Sequence, residues 1–108
     1  NKHSDVVNKV GTGLFAEEAH NLGLKTVCCT LSWKFNNHLL YSEKEIEQRS
    51  ASEVWSNAPK GVTIRNPAFE RVEAKNVDII LSELGVLKPK VFVKAVKKAY
   101  PWITRNVF

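Results

Sequence analysis

The stretch NKVGTGLFAEEAH, residues 8–20, sets an amide, a primary amine and two glycines ahead of a helical pattern. Asn8 donates hydrogen bonds and Lys9 carries a full charge, while the free N–H groups of a helix N-terminus add a partial positive charge. Together these groups suit a monophosphate. Gly11, Gly13 and Ala16 also match the spacing G-x-G-x-x-A of a dinucleotide-binding turn. That fold needs an acidic residue at the end of the next strand to hold the ribose, and here the strand runs out in Thr30-Leu31-Ser32. No nicotinamide or flavin cofactor is expected, and without a Gly-Lys-Ser/Thr run the loop is not a P-loop. The two glycines equally suit a tight turn and close packing with no ligand at all.

Lys34 follows the apolar stretch KTVCCTL, at the carboxyl end of a strand, where open α/β sheets bind ligands. Asn8, Lys9 and Lys34 are therefore the candidate phosphate-binding residues, expected to line one anion site beside a helix beginning near Gly13. Cys28 and Cys29 are neighbours that point to opposite faces of a strand, so they are poorly placed to bridge each other and read as small buried residues in a reducing cytosol. His3, His20 and His38 stand neither near each other nor near the cysteines at metal-ligand spacing, and no metal is expected. Glu17, Glu18, Glu43, Glu45 and Glu47 read as solvated carboxylates. Glu83 differs, because at the end of an apolar strand a carboxylate needs a partner, either structural or substrate. Nothing supports a nucleophilic triad, and no catalytic residue is assigned.

The elements that must position these groups follow from the pattern of apolar residues. Thr12 can cap a helix from about Gly13 to Leu22 that packs through Ala16, Ala19 and His20, with Gly23 just beyond its end. KTVCCTL and VDIILSEL read as strands buried on both faces, the second ended by Gly85. VTIR, after the APKG turn, reads as a short strand that Asn66-Pro67 interrupts. Ser42 and Glu45 form a possible capping box, and Ser52 could start another short turn. Pro89 opens a last helix whose Phe92, Ala95, Val96 and Ala99 face inward, with Lys90, Lys94, Lys97 and Lys98 outward and Pro101 as its stop.

With 108 residues the chain has room for one small core. It is 44% hydrophobic and 25% charged, which fits a globular protein, and no apolar run approaches the roughly 20 residues of a membrane span. No apolar leader opens the chain, and its start reads like that of a fragment; a cytoplasmic location is expected. The net charge of +5 would favour anionic partners, but no aromatic residues alternate with the basic ones, so direct nucleic-acid binding is not expected.

Four collinear stretches, VVNKVGT, KTVCCTLSWKF, IEQRSASEV and GVTIRNPAFERV…VDIILSELGVLKP, resemble the C-terminal part of the translation initiation factor 2B family. That family joins the alpha, beta and delta regulatory subunits with ribose-1,5-bisphosphate and 5-methylthioribose-1-phosphate isomerases, and the resemblance covers residues 5–103. It implies the later half of a Rossmann-like, three-layer α/β domain with a mostly parallel sheet. It further implies a sugar phosphate gripped by Asn8 and Lys9, with Lys34-Phe35 matching a second motif, while the isomerases' catalytic Cys and Asp lie upstream and match neither Cys28 nor Cys29. After NPAF the family's Asp-Val-Thr-Pro-Pro-Glu is replaced by ERVEAKN, and the resemblance makes IEQRSASEV extended with one helical turn rather than a long helix. Two functions follow as expectations: a regulatory subunit domain that binds a sugar phosphate or nucleotide monophosphate and assembles with sister subunits or itself, or a phosphorylated-ribose isomerase with its acid–base pair upstream. Contacts in a dimer or larger assembly are expected around Phe69, Val86, Phe92, Trp102 and Phe108.

Overall fold

The helix expected near Gly13 forms as α1, Thr12–Asn21, in a computed structural model that describes residues 3–36 and 46–104. Gly11 rather than Thr12 is its N-cap, at a φ of 107° that a side chain rarely tolerates, and the Thr12 hydroxyl instead donates back to the Lys9 carbonyl at 2.8 Å. At the other end Gly23 N–H donates to the His20 carbonyl and Leu24 N–H to that of Ala19, the paired bonds that close a helix through a left-handed glycine. Ala16 is buried as expected, but His20 is exposed.

Before α1 runs β1, Val6–Lys9; after it come β2, Val27–Cys29, β3, Phe69–Val72, β4, Ile79–Ser82, β5, Gly85–Leu87, and α2, Pro89–Ala99. These strands form two sheets. β1 pairs antiparallel with β3, setting Asn8 opposite Glu70 and Lys9 opposite Phe69. β2 pairs parallel with β4, and β4 pairs antiparallel with β5. The expectation of a mostly parallel sheet is thus corrected, since one pairing is parallel and two are antiparallel. Part of the cause lies in VDIILSELGVL, which is two strands: the chain reverses at Glu83-Leu84, and Gly85, at a φ of 120°, begins β5 instead of ending a strand. VTIR joins no strand, because pairing with the preceding segment starts later, at a single bridge from Gln48 to Pro67. That preceding segment is extended with one 3-10 turn, Ala51–Glu53, as the resemblance implies. The Ser42–Glu45 pair, Glu43, His38 and Phe108 lie outside the described residues.

One core links both sheets and both helices. Ala16 of α1, Val72 of β3, Ile80 of β4, and Phe92 and Val96 of α2 meet there with Val77. Val93 is buried too, whereas Ala99 is exposed, so the inward stripe of α2 runs Pro89, Phe92, Val93, Val96 and leaves Lys90, Lys94 and Lys98 in water. The apolar strands are not buried on both faces: Val27 is 50% exposed and Cys29 also faces outward, while Cys28 packs on the core.

Candidate ligand-binding crevice

Between β1 and the carboxyl end of β2 lies a crevice of about 600 Å³. Its walls are Ser4–Asn8 on one side and Cys28–Leu31 with Lys34–Asn36 on the other; Ile46, Glu47, Phe69, Ile80, Phe92 and Val93 complete them. Asn8 and Lys34, far apart in sequence, therefore share one cavity, and it opens where a parallel strand pair ends. Lys9 is not among its lining residues. On β1 the Lys9 side chain takes the face opposite that of Asn8, and its charge acts on Glu53. Glu53 takes Arg49 in a two-pronged bond at 2.9 and 2.7 Å, which first holds its carboxyl below the usual range; Asn66 and Lys9 add to that effect.

Lys34 is carried by a 3-10 turn, Ser32–Lys34, fixed at its first residue. Fully buried Ser32 donates its N–H to both Glu83 oxygens at 2.9 and 3.1 Å, and its hydroxyl lies 3.2 Å from that of Tyr100. Trp33 packs on the Tyr100 ring at 5.0 Å. Glu83 thus has a structural partner: hydrogen bonding from Ser32, side chain first, holds its carboxyl below the ordinary range although desolvation pushes the other way. The β4–β5 turn and the end of α2 together hold the turn that carries Lys34, one of the residues lining the crevice.

On the Asn8 side, the α1 N-terminus already holds an anion. Glu70 Oε1 accepts from Gly11 N–H at 2.9 Å and from Gly13 N–H at 2.6 Å. Other acids serve in the same way, with Asp5 accepting from Ala74 N–H and Asp78 from Thr26 N–H. Asp5 also lies 3.7 Å from Arg71. In the crevice wall, burial first, and then the neighbouring Cys29, pushes the Cys28 thiol up, so it stays protonated and a poor nucleophile at neutral pH. Among the described residues no group of three His, Cys, Asp or Glu side chains can hold a metal ion. Sequence reasoning missed Ser4, buried against the crevice with a φ of 69°, for which no sequence pattern gives a signal. It also missed the role of Glu70, visible only once the β1–β3 register is known.

Fold and crevice define a mixed α/β domain with an open cavity that Asn8 and Lys34 both line. The model of the Initiation factor 2 subunit family matches residues 2–89, and this chain belongs to that family. Over 103 residues it is 33% identical to the ribose 1,5-bisphosphate isomerase of Methanocaldococcus jannaschii, covering 93% of this chain and 33% of that protein. Among solved structures it is similar to 5-methylthioribose 1-phosphate isomerase from Pyrococcus horikoshii, with a TM-score of 0.72 and 26% identity over 91% of this chain and 30% of that one. It is also similar to subunit delta of translation initiation factor eIF-2B from A. fulgidus, with a TM-score of 0.71 and 27% identity over 86% of this chain and 30% of that one. The chain spans about a third of the length of these relatives. No helix among the described residues is long and apolar enough to cross a membrane.

Proposed function

We propose that this chain is the Rossmann-like C-terminal part of an initiation factor 2B-type regulatory subunit, and that it binds a sugar phosphate or nucleotide monophosphate in the crevice between β1 and β2. The observation that carries this reading is the convergence of Asn8 and Lys34 on one cavity at the end of the parallel pair. Lys34 supplies charge to the phosphate and Asn8 supplies hydrogen bonds; Lys9, turned away, contributes through the long-range field. Assembly with sister subunits or a second copy is supported by large apolar side chains left in water. Leu14 and Phe15 on α1 are 72% and 80% exposed, and Trp33, Phe69, Val86 and Trp102 are exposed as well. Phe92, by contrast, is buried in the core and is withdrawn as a contact. A phosphorylated metabolite or nucleotide as ligand agrees with a cytoplasmic location.

The isomerase similarity favours a second reading, in which the same crevice positions a phosphorylated ribose for proton transfer by groups outside this chain. Calorimetry on the full-length protein tests the shared step. A charge-assisted contact is worth about 1.5–3 kcal/mol, so Lys34→Ala should weaken binding of ribose 1,5-bisphosphate or of a nucleotide monophosphate by roughly tenfold or more, with Asn8→Ala following and Lys9→Ala the mildest. Unchanged affinity in Lys34→Ala refutes the crevice. Turnover of ribose 1,5-bisphosphate or methylthioribose 1-phosphate by the full-length protein then decides for the isomerase, and binding without turnover for the regulatory subunit.

A further inference from the structure

We propose that Glu70 is an internal anion: it occupies the N-terminus of α1, denies that position to a ligand's phosphate, and thereby fixes Asn8 as the β1-side contact of the crevice. A free helix N-terminus is an anion site because its first N–H groups have no partner in the helix. Here two of them, on Gly11 and Gly13, converge on the single oxygen Oε1 of Glu70. Gly13 leaves room for this and little more, since a Cβ built there would lie 3.2 Å from that oxygen. A phosphate at the same N–H groups would have to displace a carboxylate that is tethered, charged and already hydrogen-bonded.

The consequence for Asn8 comes from register. Glu70 stands directly opposite Asn8 across the β1–β3 ladder, so the two side chains share a face. By tying the Gly11–Gly13 turn to β3, Glu70 sets where β1 ends, and with it the position of Asn8. Glu70 touches no ligand and is a positioning residue. This step rests on the crevice reading only for the role of Asn8; occupancy of the helix end is independent of it.

The test is a titration of the full-length protein with inorganic phosphate, followed by NMR at the Gly11 and Gly13 amides and at Lys34. In the parent protein the two glycine amides should stay unmoved. In Glu70→Ala they should shift saturably, because removal of the carboxylate exposes an anion site that was filled. Glu70→Gln keeps the shape and an accepting oxygen and should leave them unmoved. Glycine amides that respond to phosphate in the parent protein, which requires no variant to fold, overturn the proposal. So does a folded Glu70→Ala whose glycine amides stay silent. A second titration, with ribose 1,5-bisphosphate, should move Lys34 and the Asn8 side-chain amide in the parent, and the Asn8 amide less in Glu70→Ala. Silence at Lys34 with the expected glycine behaviour refutes the crevice while leaving the internal anion standing. An Asn8 response unchanged in Glu70→Ala refutes the positioning role.

Discussion

Tyr100→Phe removes one oxygen and tests how the charged wall of the crevice is held. In the native chain the Tyr100 hydroxyl lies 3.2 Å from the hydroxyl of fully buried Ser32, two residues before Lys34. A neutral O–H···O bond usually spans 2.5–3.0 Å, so this one belongs at the low end of the ~0.5–1.5 kcal/mol that an internal hydrogen bond contributes net. Tyr100→Phe should therefore cost about 0.5–1 kcal/mol. Ser32→Ala loses the same bond together with the Ser32 side-chain contact to Glu83, and should cost more than Tyr100→Phe. In a double-mutant cycle by urea denaturation the two should couple by about 0.5–1 kcal/mol, with unchanged denaturant slopes. A functional arm separates anchoring from general stability. Tyr100→Phe should weaken ribose 1,5-bisphosphate binding in the parent protein but have no further effect in a Lys34→Ala background, since Lys34 is what the anchor aims. A coupling indistinguishable from zero, or an equal loss of affinity in both backgrounds, would show that the Ser32–Tyr100 contact does not position Lys34.

Glu83 has a folded-state carboxyl held below its ordinary range, so its contribution is full above the unfolded pKa and fades as pH falls through the folded value. The stability gap between the parent and Glu83→Gln should accordingly stay constant from neutral pH to mild acid and close only below the ordinary carboxylate range, as read from urea midpoints at each pH. Val96, with no exposed surface, loses two buried methyl groups in Val96→Ala, and transfer plus cavity terms predict a loss of about 2–3 kcal/mol by the same measurement. Gly11→Ala meets no neighbouring atom yet must hold a φ of 107°, and should cost roughly 1–2 kcal/mol from backbone strain alone. Residues 1–108 purified alone should not isomerise ribose 1,5-bisphosphate or methylthioribose 1-phosphate; detectable product in a coupled assay would place an acid–base pair inside this chain.

What the sequence made legible was local, and what it hid was pairing. The left-handed glycine stop of α1 at Gly23 and the proline opening of α2 each depend on a few adjacent residues and are found where the chain chemistry puts them, while the start of α1 falls one residue early, with Gly11 rather than Thr12 as its cap. Lys34 was placed by one further rule, that ligands gather at strand carboxyl ends, and its company with Asn8 bears on that rule. The antiparallel pairings could not be read in this way. An apolar run such as VDIILSELGVL looks the same whether it is one long strand or a hairpin, and only the positive φ at Gly85 and the Ser82–Gly85 pairing decide it. The same limit explains Lys9. Adjacent to Asn8 in the motif, it reads as a partner at the phosphate, but once β1 is extended the two residues must diverge, and Lys9 joins the field around Glu53. Glu70 is the reverse case, a residue far from the motif in sequence that register brings opposite Asn8 and whose carboxylate takes the N–H groups on which a sequence-only phosphate site depends. The N–H groups at the start of α1 are therefore met by the chain's own carboxylate, and Lys34 lies on the other wall of the crevice.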